Sequence, residues 1–301
     1  MSERRIGYLG VPGSYSHQAA ARVEPEAKAE GFASFGALIE AVERGAVGLG
    51  VIPIENSTSG RIPEVHRLMV SMRLFIVGEM LLRIEHCLIV PRLVDVADHR
   101  RALEQVERVY SHPQGFVQCE EFIARSLPQA KRMATSDTAS AVDQVCRDRD
   151  PTTAAIGSKF ASDLYGGVVL SGDVGDRSEN YTRFLALSPE RLRDDAEADI
   201  TTLIFQVDHR PGSLVKALAA LERHGINVTK LETYMISEET ALPTFYIDIG
   251  AGVREPALKR ALDEFELRVR YVKFLGSYRA SPQRSSQSGF LPPEPSAPGE
   301  E

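Results

Sequence analysis

The sequence contains no tryptophan, three cysteines and no apolar run of the roughly 18 residues that a transmembrane helix needs. Cys87, Cys119 and Cys146 are odd in number and widely spaced, so the pattern predicts neither a disulfide framework nor a CxxC metal or redox site. Buried thiols are expected instead. The N-terminal segment lacks the apolar core and the small-residue cleavage site of a secretory signal, so we expect a cytoplasmic protein without a membrane partner.

The sequence also has few features of metal or nucleic-acid chemistry. Its seven histidines show no HxH or HExxH spacing, so no metal site is expected. The formal net charge of −7 occurs without any basic block, which argues against nucleic acid as a partner. The composition therefore favours a protein that acts on small molecules, and 301 residues are enough for about two domains.

The first 187 residues alternate short apolar runs with helical patterns, which predicts an α/β layered structure. The stretches "SFGALIEAVERG" and "GFVQCEEFIARSLP" each carry an apolar stripe and are predicted to be crossover helices. The predicted strands are Ile6–Leu9, Leu49–Pro53, Val106–Tyr110, Ala154–Ile156 and Phe184–Leu187.

The pattern changes after this region. Residues 188–199 are polar and acidic and are predicted to be a linker. Residues 200–280 follow a strand–helix–strand–strand–helix–strand order, which is that of a ferredoxin-like βαββαβ unit. Residues 281–301 are rich in Ser, Pro and Glu, so we predict a disordered tail.

Four polar stretches lie at strand ends: "GVPGSYSH", "IPIENSTSG", "YSHPQG" and "NYTRF". The first three follow a strand, where ligands bind in open α/β sheets, whereas "NYTRF" precedes one. Each of the three also has a simpler interpretation: a serine N-cap, a turn with local hydrogen bonds, and a structural His112. In the fourth, Arg183 stands beside apolar Phe184 and needs an anion, which is either a ligand or an acidic side chain of the protein.

In this order, the stretches resemble the prephenate dehydratase family, in which a catalytic region carries a C-terminal ACT domain. The resemblance covers about residues 5–278 and is carried by "PIENS", "SHPQ" and the N-x-TRF of Asn180, Thr182, Arg183 and Phe184. In the second domain, "RPGSLVKAL" is similar to the ACT amino-acid-binding turn and helix, and "GINVTKLE" to the strand after it.

The resemblance implies a fold in which a two-lobed catalytic region, like a periplasmic binding protein of the second type, occupies residues 1–187. One lobe would contain about residues 1–83 and 170–187, and the other about 84–169. "NYTRF" would then lie on the return crossing at the cleft floor. The ACT domain would occupy residues 200–280.

The implied reaction converts prephenate to phenylpyruvate, carbon dioxide and water, a step toward L-phenylalanine that requires no cofactor. The alternatives are an arogenate dehydratase, which acts on the amino analogue of prephenate, and a non-enzymatic sensor of an aromatic amino acid.

The resemblance also implies roles for individual side chains. Thr182 would donate a hydrogen bond to the departing oxygen, and Arg183 would hold a substrate carboxylate through two parallel N–H bonds. Glu55 would be repelled by a dianion, so it would instead orient Arg183 or a backbone turn. The neutral groups expected around the substrate are Ser14, Asn56, Ser57, Ser111, Thr138 and Asn180.

The implied effector pocket lies at an interface between subunits, and ACT domains usually pair, so a homodimer or homotetramer is expected. The family's Glu-Ser-Arg-Pro segment reads "ETYM" here, without the arginine, and feedback by L-phenylalanine is left open. The residues expected around the effector are Gly212, Ser213, Leu214, Asn227 and Glu232.

Overall fold

The computed structural model describes residues 4–191, 196–235 and 243–284. This part of the chain forms two compact units. Unit one comprises Tyr8–Ser34 and Leu82–Thr182, and unit two comprises Arg4–Gly7, Phe35–Leu81 and the described residues from Arg183 onward. The described chain contains no helix of the length and hydropathy needed to cross a membrane.

The order of elements alternates between strand and helix in the first 187 residues, as predicted. The strands are β1 (Arg5–Leu9), β2 (Lys28–Phe32), β3 (Leu49–Asn56), β4 (Gly60–Arg61), β5 (Phe75–Arg83), β6 (Cys87–Pro91), β7 (Arg108–Ser111), β8 (Lys131–Ala134), β9 (Thr153–Gly157), β10 (Gly167–Ser171) and β11 (Tyr181–Ser188). The helices are α1 (Tyr15–Val23), α2 (Phe35–Glu43), α3 (Pro63–Ser71), α4 (His99–Glu104), α5 (Pro113–Gln118), α6 (Glu120–Ser126), α7 (Thr138–Asp148) and α8 (Lys159–Tyr165).

Unit one is built on a sheet of order β10-β6-β9-β7-β8, in which β7 runs parallel to β8 and β9. Residues 8–34 group with this unit because Tyr15 donates to the carbonyl of Glu85 at 2.9 Å and Tyr165 donates to that of Pro12 at 2.6 Å. This grouping differs from the lobe boundaries implied by the resemblance, which placed residues 1–83 together.

The helix predicted over "GFVQCEEFIARSLP" is two helices, α5 and α6, which meet at Cys119. Asp176 occupies the break: its backbone N–H donates to the carbonyl of Gln118 at 2.8 Å, and its carboxylate accepts from the N–H of Glu121. A carbonyl at the end of α5 and an N–H at the start of α6 therefore bond to Asp176 instead of to each other's helix. The prediction of one helix is wrong for this reason.

A second sheet has the order β2-β1-β3-β11-β5, with β4 paired to β3. Strand β11 begins at Tyr181 rather than at Phe184, because residues 182–187 are all buried. Thr182 and Arg183 thus lie within the strand, and the prediction that "NYTRF" precedes it is wrong. Strand β3 also continues to Asn56, so the "IPIENSTSG" stretch forms a hairpin with β4.

Residues 200–280 show the predicted βαββαβ order: β12 (Ile200–Gln206), α9 (Ser213–Arg223), β13 (Val228–Met235), β14 (Pro243–Ile249), α10 (Pro256–Glu266) and β15 (Tyr271–Tyr278). The sheet is antiparallel with the order β13-β14-β12-β15. Leu203 and Ile247 pack in the core with α9 and α10, whereas Thr202 and Asp248 alternate to the opposite face and are also buried. One face is thus apolar, and the other carries buried polar side chains.

The segment after β15 differs from the prediction of a tail disordered from residue 281. Residues 281–284 belong to unit two and pack against strand β5, because Ser281 accepts a hydrogen bond from the N–H of Leu81 at 3.2 Å and the side chain of Arg284 is 4% exposed. The rest of the predicted tail, residues 285–301, lies outside the described residues, as do residues 192–195 of the predicted linker.

Candidate active site

The side chain of Arg183 is fully buried in unit two and surrounded by acceptors. Its Nε donates to Glu79 Oε2 at 2.7 Å, and its Nη1 donates to Glu55 Oε1 at 3.1 Å and to Asp248 Oδ2 at 2.6 Å. Its Nη2 donates to the hydroxyl of Tyr278 at 3.0 Å. Three carboxylates of the protein therefore occupy one guanidinium.

The sequence predicts that Arg183 holds a substrate carboxylate, and in this structure its hydrogen-bond acceptors are side chains of the protein. A guanidinium has five N–H donors, and here every one of its nitrogens already bonds to a protein oxygen. The second interpretation of the sequence, an ion pair with acidic side chains, is the one that the structure contains. The Arg183 side chain thus anchors strand β11 through these carboxylates.

A second arginine belongs to the same group of charges. Arg284 Nη1 donates to Glu79 Oε2 at 2.9 Å, and Nη2 lies 3.3 Å from Asp248 Oδ2 and 3.0 Å from Thr229 Oγ1. Lys230 supplies the third cation, since its Nζ contacts Glu55 Oε2. Three cations therefore balance the three carboxylates, as a buried charged cluster requires.

The electrostatics of the cluster keep Asp248 and Arg183 ionised at neutral pH. Burial alone would raise the pKa of Asp248, but Arg183 and Arg284 lower it to about 2. Burial would likewise lower the pKa of Arg183, but Asp248 and Glu79 raise it well above its usual value. We name these residues, Arg183, Glu55, Glu79, Asp248, Arg284 and Lys230, the arginine cluster.

Glu55 orients Arg183, which is the first of the two roles considered for it, because its carboxylate accepts a hydrogen bond from the guanidinium. Asn56 and Ser57 follow it at the turn of the β3–β4 hairpin. The Asn56 Oδ1 atom accepts from the N–H of Thr58 at 3.0 Å, from its hydroxyl at 2.7 Å, and from the N–H of Ser59 at 3.0 Å. The carboxamide oxygen therefore shapes the turn, and Ser57 is half-buried beside it.

In unit one, Ser14 caps helix α1. Its Oγ accepts from the N–H of His17 at 3.2 Å, and the His17 Nδ1 atom accepts from the N–H of Gly13 at 3.0 Å. Burial lowers the pKa of His17, which keeps the imidazole neutral and able to accept. The serine N-cap considered for this loop is therefore present, at the end of α1 where the helix dipole favours negative charge.

Ser111 and Thr138 come together around Gly115. A Cβ at Gly115 would lie 2.4 Å from Ser111 Oγ and 3.5 Å from Thr138 Cγ2, so a larger residue there would have to displace the Ser111 hydroxyl. Ser111 is completely buried and donates to the carbonyl of Ile156 at 3.0 Å. Its proton is thus committed to the backbone.

Asn180 and Thr182 flank the first residue of β11, and both are buried, at 4% and 9% exposure. The carbonyl of Asn180 accepts from the N–H of Ile84 at 2.7 Å. Thr182 directly precedes Arg183, so the arginine cluster fixes the backbone next to the threonine.

The sequence motifs gave no indication of a role for Glu79, Lys230, Asp248, Tyr278 or Arg284. A single aspartate inside the apolar run "FYIDIG" was the signal for Asp248, because a charge in a buried strand needs a partner. No pattern in the Ser- and Pro-rich C-terminal segment marked Arg284.

The expected effector residues are not all in one place. Gly212, Ser213 and Leu214 line a cavity of about 410 Å³ together with Val207, Asp208, His209, Arg210, Pro243 and Phe245. Asn227 is exposed and does not line this cavity. Glu232 lies within 3.3 Å of Lys230 and 3.5 Å of Arg61 instead, because β13 directs it toward those cations.

The thiols are buried or partly buried, as expected. Cys87 and Cys119 are buried and Cys146 is partly exposed. Burial raises the pKa of Cys119 to about 12. Across residues 4–191, 196–235 and 243–284, no group of three or more His, Cys, Asp or Glu side chains is arranged to hold a metal ion.

Comparison with known proteins bears on this site. Residues 6–192 match the family model described as prephenate dehydratase. The bifunctional chorismate mutase/prephenate dehydratase of Enterobacter agglomerans is 37% identical over 279 residues, which cover 91% of this chain and 70% of that protein. The bifunctional N-acyl-homoserine lactone acylase/prephenate dehydratase of Komagataeibacter europaeus is 35% identical over 94% of this chain and 98% of that protein.

A solved structure agrees with these relatives. The prephenate dehydratase of Arthrobacter aurescens, in complex with L-Phe, superposes with a TM-score of 0.79 at 25% identity, over 91% of this chain and 89% of that one. The motif residues Glu55 and Arg183 meet in the structure, and the family match spans both of them. The chain belongs to the prephenate dehydratase family.

Proposed function

We propose that the protein converts prephenate to phenylpyruvate, carbon dioxide and water. The observation that carries the proposal is the placement of Thr182 in a family-matched strand whose next residue, Arg183, is held by the arginine cluster. In the reaction, the bond between the ring and its carboxylate breaks and releases carbon dioxide. The electron pair of that bond moves into the ring and expels hydroxide, which takes up a proton and leaves as water.

The driving force of this reaction lies in the substrate, because the ring becomes aromatic. The protein must hold a dianion and help a poor leaving group depart. A threonine hydroxyl is too weak an acid to transfer its proton completely, so Thr182 donates a hydrogen bond to the departing oxygen in a preorganised site. Arg183 contributes indirectly, because it fixes the position of the neighbouring Thr182.

Neutral donors then bind the two substrate carboxylates, since the guanidinium of Arg183 is occupied. The α1 end capped by Ser14 contributes a favourable helix dipole. The other groups in this role are Asn56, Ser57, Ser111, Thr138 and Asn180. The Ser111 hydroxyl can take part only if it gives up its hydrogen bond to the Ile156 carbonyl and donates to a substrate carboxylate instead.

The finer architecture is part of the same proposal. Residues 1–187 form a two-lobed catalytic region of the periplasmic-binding-protein type, and residues 200–280 form an ACT regulatory domain. The βαββαβ order and the cavity at Gly212, Ser213 and Leu214 support the second assignment. L-Phenylalanine is the effector we propose, because the Arthrobacter aurescens structure contains it. The protein is a cytoplasmic homodimer or homotetramer.

Phenylpyruvate formation from prephenate tests the activity. Thr182→Ala should lower kcat about 100-fold with KM changed less than about threefold, because the lost interaction is made mainly in the transition state. Thr182→Ser is the matched control, since it keeps the hydroxyl, and it should retain most of the turnover. A loss of affinity alone in Thr182→Ala would contradict the leaving-group role.

Two further arms separate the alternatives. Phenylalanine formed from arogenate, at a kcat/KM above that for prephenate, would identify an arogenate dehydratase. Binding of L-phenylalanine by a folded protein that turns over neither substrate would identify a sensor.

A further inference from the structure

The residues that follow β15 fold back onto strand β5. The N–H of Ser281 donates to Glu79 Oε1 at 2.9 Å, and its hydroxyl accepts from the N–H of Leu81 at 3.2 Å. These two contacts fix the direction of the segment that leads to Arg284. The guanidinium of Arg284 thereby enters the protein interior, where its side chain is 4% exposed.

Arg284 and Arg183 share the same two oxygen atoms. Glu79 Oε2 lies 2.9 Å from Arg284 and 2.7 Å from Arg183. Asp248 Oδ2 lies 3.3 Å from Arg284 and 2.6 Å from Arg183. Two guanidinium groups and two carboxylates therefore form a closed ring of charge-assisted hydrogen bonds.

We propose that Arg284 is a positioning residue for the dehydratase reaction, which holds Arg183, and through it Thr182, by completing this ring. The proposal rests on the proposed function. It assigns a role in the reaction to a residue that lies about 100 positions after the threonine, beyond the βαββαβ unit.

The charge balance shows why the ring needs both arginines. With Arg284 present, three cations balance three carboxylates in the arginine cluster. Without it, Glu79 and Asp248 would both depend on Arg183 alone, and the buried cluster would carry one uncompensated negative charge. Water entry or protonation of a carboxylate would then relieve the imbalance, and either would move the Arg183 side chain.

Movement of Arg183 matters because Thr182 is its direct neighbour on β11. A displacement of about 1 Å at a reacting group is enough to cost about 100-fold in rate. In the proposed function other groups bind the substrate carboxylates, so the effect should appear in kcat rather than in KM.

The test compares Arg284→Gln with Arg279→Gln in the full chain. Arg279 is the matched control, because it lies five positions earlier and its ion pair with Glu197 is at the surface, where its side chain is 67% exposed. Phenylpyruvate formation should show kcat lower by about 10- to 100-fold in Arg284→Gln, KM within about threefold, and wild-type kinetics in Arg279→Gln. Wild-type kcat in a fully folded Arg284→Gln would overturn the proposal.

Arg284→Lys covers the case in which Arg284→Gln does not fold. Lysine keeps the charge but cannot bond to both carboxylates through a planar fork, so we expect a smaller fall in kcat. An unchanged kcat in Arg284→Lys, together with an Arg284→Gln protein that is unfolded, would show a structural role and overturn the proposal.

Hydrogen exchange supplies a readout that does not depend on turnover. In Arg284→Gln, the backbone amides of β11 should exchange faster, while those of β9 in unit one should keep their protection. Equal protection of β11 in both proteins would contradict the positioning role. If the wild-type protein made no phenylpyruvate but the β11 amides still exchanged faster in Arg284→Gln, the proposed function would fail. The inference that Arg284 fixes the strand carrying Thr182 would still stand.

Discussion

Asp248→Asn should destabilise the protein strongly at neutral pH and by about 1 kcal/mol less at pH 3. Asp248 is completely buried between Arg183 and Arg284, and its Oδ1 also accepts from the hydroxyl of Thr202 at 2.7 Å. Its pKa falls from 3.8 to about 2 in the folded protein, and at about 1.4 kcal/mol for each pH unit this corresponds to about 2 kcal/mol. Removing one partner of a buried ion pair costs about 3–5 kcal/mol in total.

The pH dependence follows from the direction of the shift. Because the folded-state pKa is depressed, the stabilisation is complete above pH 3.8 and is lost as the pH falls toward 2. About half of the 2 kcal/mol should be gone at pH 3. The difference between wild type and Asp248→Asn should narrow by the same amount.

Urea unfolding followed by far-UV circular dichroism at several pH values measures this difference, since the chain has no tryptophan for fluorescence. Asp163→Asn is the control, because its ion pair with Lys159 is exposed and should contribute less than about 1 kcal/mol. A stability difference that is equally large at pH 7 and pH 3 would refute the electrostatic explanation.

Three other outcomes are expected. Lys273→Met should lower the free energy of unfolding by about 2 kcal/mol, because the Lys273 ammonium donates to three carbonyls at the end of α3; a change within experimental error in urea unfolding would contradict this. Gly115→Ala should displace Ser111 and lower kcat for phenylpyruvate formation, and a wild-type rate would show that this pocket tolerates a Cβ. Cys119 should resist alkylation by iodoacetamide at pH 8 in the native protein and react after urea unfolding, because burial holds its thiol protonated; rapid native labelling would disprove it.

Local patterns predicted the elements well. The apolar runs of β1, β3, β7, β9 and β11 and the βαββαβ order of residues 200–280 can be read from neighbouring residues, since the periodicity of a strand or helix is a short-range property. The break at Cys119 could not be read in this way. It depends on Asp176, which lies far along the chain.

The same limit applies to the site. The sequence showed that Arg183 needs an anion, and the resemblance suggested substrate. The actual partners, Glu79 and Asp248, are 104 and 65 positions away, and nothing local indicates that they reach the same guanidinium. Local sequence patterns therefore could not distinguish an ion pair of Arg183 from a substrate contact, because the ion-pair partners are distant along the chain.

The sheet face that carries Asp248 limits where the chain can be cut into fragments. A fragment ending near residue 188 would keep Arg183, Glu55 and Glu79 but lose the Asp248 carboxylate and the Arg284 guanidinium. It would thus keep Thr182 on a strand whose anchor had been half removed. The boundary visible in the sequence therefore divides a buried charge cluster, and a module transplanted with its end at that position would need a replacement for these missing charges.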